Sequence, residues 1–193
     1  MLRDLYDWTL SLSQTRYALW SLALISFIES SVFPIPPDIL MIPMILARPD
    51  RAFRIATVCT IASVAGGVAG YGLGAFLFDE AARPILLLYD KMDQFEQLSA
   101  NFNEYGFWAV LFAGVTPFPY KVITLFSGAT GMNLTLFMIS SVIARGLRFY
   151  LIAALLWRYG APMKLFIEKR LGLLATLTIV FLFLGFYAVR FLQ

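Results

Sequence analysis

The sequence predicts an all-α integral membrane protein, built as an inverted repeat in which each half joins a re-entrant hairpin to a transmembrane helix. Two observations carry this prediction. The 193-residue chain is 60% hydrophobic with a mean hydropathy of +0.77, which is too apolar for a soluble domain of this length. A Pro-x-Pro frame also occurs twice inside apolar stretches, as Pro34-Ile35-Pro36 and as Pro117-Phe118-Pro119. We expect residues 1–193 to form a single domain.

The prolines explain why each stretch should be broken. Proline fixes φ, lacks an amide donor and restricts the residue before it, so one helix should end at each frame and another begin after it. Lipid cannot satisfy the carbonyl groups that are freed, so such breaks lie inside protein or beside a water-filled cavity, where transporters commonly place their binding sites. The predicted hairpin tips contain five prolines, Pro34, Pro36, Pro37, Pro117 and Pro119.

The first repeat is predicted over about residues 17–78. Its prolines divide the apolar stretch 17–47 into arms of about 17 and 10 residues, whereas a helix needs about 20 residues to cross the bilayer. A re-entrant hairpin that enters and leaves on one face therefore fits better than two spans. The apolar run that follows can span, and the spacing of Gly66, Gly70 and Gly74 within it lets helix backbones approach closely.

The connector between the repeats, residues 79–105, is polar. It holds six of the twelve acidic residues, so it is not expected to enter the bilayer. Its apolar residues recur every three or four positions, which indicates an amphipathic helix lying at the membrane surface. A helix packed on another part of the protein is an equally good interpretation of the same pattern.

The second repeat, over about residues 106–157, has the same order, with an apolar stretch broken by prolines and then a run that can span. A C-terminal transmembrane helix is predicted over 171–190. With both hairpins re-entrant, the positive-inside rule puts the basic loop 48–54 and the basic linker 158–170 in the cytoplasm. The expected location is the bacterial inner (plasma) membrane, as a multi-pass protein with its C-terminus outside.

The two halves also match each other in sequence. An offset of 83 positions places Pro34 and Pro36 on Pro117 and Pro119. An offset of 79 pairs three residues of each spanning segment, Ala65, Gly67 and Tyr71 with Ala144, Gly146 and Tyr150. Because one helix separates the hairpins, they would enter from opposite faces, which makes the repeat inverted, as in many transporters. Chance matches are common in apolar sequence, so coincidence stays open as an alternative.

Five charged residues lie well inside the apolar segments, Glu29, Asp38, Lys121, Arg145 and Arg148. Each costs about 2.5–3.5 kcal/mol at the bilayer centre, so such residues are rare unless they are paired or functional. The acids fall in the first half and the bases in the second, so hairpin tips that meet would bring both signs to one cavity. Arginine forks and the N-termini of broken helices are suited to holding a phosphate.

We interpret Glu29 and Asp38 as proton or cation coupling sites, since a carboxylate in such a cavity can exchange a proton as the cavity opens and closes. The residues interpreted as ligands of a phosphate headgroup are Lys121, Arg145, Arg148, Thr116 and Tyr120. Three alternatives stay open. The charges could form salt bridges that only lock the halves together. Asp38, Lys121 and Arg148 could lie closer to a membrane face and snorkel to it. The hydroxyls could cap freed carbonyls.

Several function classes are excluded by composition. The chain has no histidine, which removes the Ser-His-Asp and Cys-His catalytic systems and the usual zinc sites. Cys59 is the only cysteine, so it has no intramolecular disulfide partner. We therefore expect no enzymatic activity, no metal and no cofactor. The basic residues lie at the ends of apolar segments rather than in a run, so no nucleic-acid partner is expected. The N-terminus lacks the pattern of a signal peptide.

Three motifs carry a family resemblance, Phe27-Ile28-Glu29-Ser30-Ser31-Val32-Phe33-Pro34-Ile35-Pro36-Pro37-Asp38, Thr116-Pro117-Phe118-Pro119-Tyr120-Lys121 and Gly128-Ala129-Thr130-Gly131. With the glycine-rich helix 66–74, the chain resembles the DedA family, the VTT-domain or SNARE-associated membrane proteins, and most of all its YqaA-type members. The resemblance covers roughly residues 20–160. It implies two re-entrant hairpins that face each other, and membrane-embedded acidic residues that map to Glu29 and Asp38.

The resemblance also implies transport of lipids such as undecaprenyl phosphate or phosphatidylethanolamine, dependence on the proton-motive force, and essential arginines in the second hairpin. The chain departs from the family at this last point. Many members have one arginine ahead of the second proline motif and another behind it, whereas this chain has Gly114-Val115 ahead and only Lys121 behind. Arg145 and Arg148 are candidates to compensate from the next helix.

The predicted function is that of a membrane lipid transporter, of the flippase or scramblase type, which moves a phospholipid or polyprenyl phosphate headgroup across the inner membrane with proton coupling. A proton- or sodium-coupled transporter of a small solute is one alternative. A non-transporting membrane assembly factor that binds a partner helix through the Gly66/Gly70/Gly74 face is another. The expected partner is a membrane lipid, and a homo-oligomer is left open.

Overall fold

The computed structural model describes residues 17–31, 36–116 and 118–160, and all regular structure within these ranges is helical. This confirms the predicted all-α class. The eight α-helices are α1 (Ala18–Ser31), α2 (Asp38–Ala47), α3 (Ala52–Leu77), α4 (Arg83–Leu88), α5 (Met92–Glu104), α6 (Gly106–Val115), α7 (Tyr120–Ala129) and α8 (Leu134–Tyr159). A short 3-10 turn, Pro49–Arg51, precedes α3, and a π-helical turn, Phe78–Ala82, joins α3 to α4. The predicted helix 171–190 lies outside the described residues.

Both apolar stretches are broken where the prolines predict. The first break separates α1 from α2, and the Pro37 carbonyl at its end accepts bonds from the amides of Leu40 and Met41. The second separates α6 from α7, and Pro119 directly precedes α7. The four helices have 14, 10, 10 and 10 residues. At about 1.5 Å per residue, each is shorter than the bilayer core of about 30 Å. Pro34 and Pro117 lie outside the described residues.

Two helices are long and apolar enough to cross a membrane within the described part of the chain. These are α8, with 26 residues, and the continuous helix from Pro49 to Leu88, which contains α3 and α4. The helix bounds repeat between the halves. Asp38 and Tyr120, the first residues of α2 and α7, are 82 positions apart, and so are Ala52 and Leu134, the first residues of α3 and α8. The ends of α1 and α6, Ser31 and Val115, are 84 positions apart, so the helix bounds lie close to the offsets of 83 and 79 that the sequence matches suggested.

The connector differs from the single amphipathic helix predicted over 79–105. Its first ten residues continue the helix of α3, and the chain then turns at 89–91, where Asp90 has a φ of 53°. The second part, α5, packs on the protein near its end, since Phe102 meets the Phe126 ring edge-on at 4.8 Å and Asn103 donates a bond of 2.9 Å to the Thr130 carbonyl. The alternative of a helix packed on the protein therefore applies to this end of α5.

Three glycines of α3 pack against other helices of the same chain. A β-carbon at Gly66 would overlap the Phe27 carbonyl of α1, and one at Gly74 would overlap the Leu125 carbonyl of α7. Gly70 is buried against Thr124 of α7. Close approach through small residues was predicted, but its partners are helices of the same chain. This corrects the interpretation of the Gly66/Gly70/Gly74 face as a binding surface for another protein.

Candidate functional site

Arg145 is the largest fully buried side chain of the described residues, and only 1% of its surface is exposed. Its position halfway along α8 places the guanidinium against α1 and α3. The Nη2 group donates a bond of 2.8 Å to Oε2 of Glu29, and Nε donates one of 2.6 Å to Oγ of Ser63. A buried charge needs both a counter-ion and hydrogen-bond partners, and Arg145 has each.

Two serine hydroxyls close this arrangement into a ring. Oγ of Ser30 donates to Oε2 of Glu29 at 3.1 Å, and the hydroxyls of Ser30 and Ser63 are 2.6 Å apart. Each hydroxyl has one proton. Because the Ser30 proton is used on Glu29, Ser63 donates to Ser30, and Ser63 in turn accepts from Arg145. Arg145 therefore contacts the Glu29 carboxylate directly and also through two hydroxyls, which fixes the ion pair in one geometry.

Aromatic rings cover the Arg145 guanidinium. Its central carbon lies 4.8 Å from the ring centre of Tyr120 and 4.7 Å from that of Phe149. Cation–π contacts at desolvated positions contribute about 2 kcal/mol. Tyr120 is fully buried, and its hydroxyl lies against Gly67 of α3. The Tyr120 ring is therefore part of the packing around Arg145, and its role as a headgroup ligand stays a prediction.

A second ion pair joins the halves near the helix breaks. Oδ2 of Asp38, at the start of α2, accepts a bond of 2.7 Å from Nη2 of Arg148 on α8. Nη1 of Arg148 donates at 3.1 Å to the Thr116 carbonyl. Both charged side chains are partly exposed, at 18% for Asp38 and 20% for Arg148. Oδ1 of Asp38 is buried without a hydrogen-bond partner among the described residues. Thr116 thus contributes its carbonyl as an acceptor here, where a hydroxyl donor was predicted.

Lys121, the remaining predicted cation, lies in the first turn of α7 and is half-buried. It forms no ion pair with the residues that the structure describes. Its carbonyl accepts a bond of 2.9 Å from Thr124, whose hydroxyl is also 3.1 Å from the Ser30 carbonyl. Thr124 therefore joins α7 to α1 beside the Arg145 site.

The structure thus brings four of the five predicted charges into two ion pairs, and each pair joins a carboxylate of the first half to an arginine of α8. Sequence reasoning missed Ser30, Ser63, Thr124 and Phe149. A weak signal was available for Ser30, which is next to a buried acid, but nothing in the sequence of α3 distinguishes Ser63. No group of acidic or cysteine side chains that could hold a metal ion occurs within residues 17–31, 36–116 and 118–160.

Ser63→Ala is expected to lower the free energy of unfolding by about 1–3 kcal/mol, because it leaves the buried Nε of Arg145 and the Ser30 hydroxyl without their shared partner. Denaturant unfolding in detergent measures this change. Ser127→Ala is the matched control, since Ser127 is equally buried and its hydroxyl has no hydrogen-bond partner among the described residues. Equal stability of the two variants would show that the Ser63 bond contributes nothing.

The chain has two helices able to span a bilayer, each preceded by a broken pair of short helices, and ion pairs join the first broken pair to the second spanning helix. These features define a class, that of helical membrane proteins. The VTT domain family model matches residues 35–158. The chain belongs to this family, also called DedA, whose members are membrane proteins.

Two relatives extend this result. An uncharacterized protein of Haemophilus influenzae is 32% identical over 186 residues, which is 96% of either chain. An uncharacterized HI0703 homolog from Histophilus somni is 36% identical over 151 residues, or 78% of either chain. No solved structure matches the chain significantly.

Proposed function

We propose that the protein moves the phosphate-bearing headgroup of a membrane lipid across the bacterial inner membrane, as a flippase or scramblase. This proposal rests on two ion pairs, Glu29–Arg145 and Asp38–Arg148, which join the two halves beside interrupted helices. Ionised groups at membrane depth are costly and commonly mark a substrate or ion pathway. Headgroups carry the charges that such a pathway accommodates, while their acyl chains stay in lipid.

The proposed architecture is an inverted repeat of two re-entrant hairpins, each followed by a spanning helix, in one domain of residues 1–193. The short helices on both sides of each break support it, and so does the offset of 82 positions shared by the starts of α2 and α7 and of α3 and α8. A multi-pass topology with loop 48–54 and linker 158–170 in the cytoplasm follows from the basic residues. Assignment to the YqaA-type branch, the helix at 171–190 and a homo-oligomeric state stay predictions.

The proposed site roles follow from chemistry. Lys121, Arg145 and Arg148 are the candidate ligands of the headgroup phosphate, and the exposed Thr116 hydroxyl is a further donor. Glu29 and Asp38 are the candidate proton or cation sites. The chain is proposed not to be an enzyme, and the VTT family is not known as an enzyme family.

A proton- or sodium-coupled transporter of a small solute is the second candidate. The buried Oδ1 of Asp38 favours it, because an unpartnered carboxylate oxygen is suited to accepting a proton or cation. An assembly factor acting through the Gly66/Gly70/Gly74 face is not proposed, since these glycines are buried against α1 and α7.

Reconstitution separates the two candidates. We expect purified protein in liposomes to speed the movement of phosphatidylethanolamine, phosphatidylglycerol or a polyprenyl phosphate between leaflets, followed as the fraction of headgroups that an external reagent reaches. The same liposomes should not take up inorganic phosphate when a proton gradient is imposed. Phosphate uptake with headgroup movement no faster than in empty liposomes would favour the solute transporter.

A further inference from the structure

The two ion pairs are not equivalent, and the difference lies in the contacts that each arginine makes. Arg145 is 1% exposed, bonds to Glu29 and Ser63, and lies between the rings of Tyr120 and Phe149. An incoming anion would have to displace aromatic rings as well as a counter-ion. Arg145 is therefore committed to the packing of the protein.

Arg148 is more exposed than Arg145 and makes fewer contacts. It has one carboxylate partner and one carbonyl partner, and 20% of its side chain is exposed. No aromatic ring covers its guanidinium among the described residues. A phosphate oxyanion offers the same fork-shaped pairing with guanidinium as a carboxylate does. Such an anion could therefore take the place of Asp38 on Arg148 with little other rearrangement.

The carboxylates of Glu29 and Asp38 also differ, because Asp38 has fewer hydrogen bonds among the described residues. Oε2 of Glu29 accepts from both Arg145 and Ser30, so removing Arg145 would not leave that oxygen unbonded. Asp38 has a single hydrogen bond, through Oδ2, and its Oδ1 is buried with no partner among the described residues. A buried carboxylate oxygen without a hydrogen bond raises the free energy of the pair, so Asp38 is the acid that is more easily released.

We infer that a phosphate oxyanion binds Arg148 by displacing Asp38, whereas Glu29–Arg145 remains closed and takes no substrate. This inference rests on the proposed function, because it takes the headgroup phosphate as the ligand, and it narrows three candidate cations to one ligand. Since Asp38 begins α2 and Arg148 lies on α8, the exchange also breaks the ion pair between these helices. Headgroup binding is thereby coupled to the release of α2 from α8, while Glu29–Arg145 still joins the two halves.

Calorimetric titration of the purified protein in detergent tests the exchange. The probes are dodecyl phosphate and inorganic phosphate, which share the oxyanion and differ in the chain. Asp38→Asn removes the competing carboxylate and should tighten phosphate binding by about 5- to 150-fold, the usual range of coupling between linked binding events. Glu29→Gln should not tighten binding, because Tyr120 and Phe149 still cover Arg145. Asp50→Asn, at an exposed pair outside the site, is the control that should leave the affinity unchanged. The neutral double variant Asp38→Asn/Arg148→Gln should lose binding. Tighter binding of dodecyl phosphate assigns a lipid headgroup, and equal affinity assigns free phosphate.

Size-exclusion chromatography shows which variants remain folded. If Glu29→Gln does not, Arg145→Lys and Arg148→Lys replace it, and only Arg148→Lys should weaken binding, through loss of the planar fork. The exchange is overturned if Asp38→Asn does not bind phosphate more tightly than wild type, if Glu29→Gln tightens binding equally, or if the double variant keeps its affinity. If any of these results is found while liposomes that contain wild-type protein still move headgroups, the proposed function stands and only the exchange is overturned. Tightening by Asp38→Asn without such movement would leave the exchange standing alone.

Discussion

Glu29→Gln is expected to lower the free energy of unfolding by about 3–5 kcal/mol, because it leaves the Arg145 charge buried without its counter-ion. The amide keeps the shape of the side chain, so the loss measures charge rather than packing. Unfolding in detergent, followed by circular dichroism, gives the value. Asp50→Asn is the control, since the Asp50–Arg51 pair is exposed and spans 3.7 Å. That change should alter stability by less than about 1 kcal/mol.

A second variant isolates the cause of this loss. Glu29→Leu/Arg145→Met removes both charges, and replacing a whole buried ion pair by apolar side chains is often close to neutral. The double variant should therefore be more stable than Glu29→Gln. Unfolding of Glu29→Gln at the same denaturant concentration as wild type would show that the folded protein does not need the Glu29 charge. The ring of hydrogen bonds described around Arg145 would then be contradicted.

Gly74→Ala is expected to produce the second large effect, a destabilisation of about 1–3 kcal/mol or more. The new methyl would overlap the Leu125 carbonyl, and backbone cannot move aside as a flexible side chain can. Helices α3 and α7 would have to separate, which also disturbs the α7 segment beside Arg145. Thermal unfolding in detergent detects the change.

Gly72→Ala, on the same helix, provides the matched control. Gly72 is exposed, and a β-carbon there would have no atom within 4 Å. Alanine is the better helix former by about 1 kcal/mol, so this variant should be as stable as wild type or more so. Equal effects of the two substitutions would contradict the close contact between α3 and α7.

Sequence reasoning predicted the helix breaks because proline acts locally, whatever the helix packs against. Because unpaired charges are costly in lipid, the sequence also predicted that the acids of the first half would meet the bases of the second. The particular pairings, Glu29 with Arg145 and Asp38 with Arg148, depend on the rotation of α8 against its neighbours, which local sequence does not determine. Ser63 was missed for the same reason.

The connector shows another limit. Its apolar spacing suits a helix anywhere from 79 to 105, and the turn at Asp90 uses a positive φ that a non-glycine residue rarely adopts. No glycine marks that turn in the sequence. The register of the predicted repeat is also poorly determined by sequence, because glycine and alanine matches in an apolar helix are frequent by chance. The starts of α2 and α7 and of α3 and α8 share an offset of 82 positions.

The departure from the family pattern at the second hairpin has a structural counterpart. Arg148 reaches back from α8 to the Thr116 carbonyl at the second helix break. It therefore brings a guanidinium to the break that has no arginine of its own ahead of the prolines. That Arg148 replaces the family's hairpin arginines stays a prediction, and the geometry is the reason to test it first.

The lipid headgroup is proposed to cross the membrane through the charged site between the halves, and the decisive experiment follows headgroup movement in liposomes. Wild type and Asp38→Asn/Arg148→Gln are reconstituted at equal density, with the double variant chosen because it leaves no unpaired buried charge. Wild type should move the headgroup faster than empty liposomes, and the double variant should return to the empty-liposome rate while remaining folded. Movement as fast in the double variant as in wild type, or none by wild type with any lipid, would contradict the account.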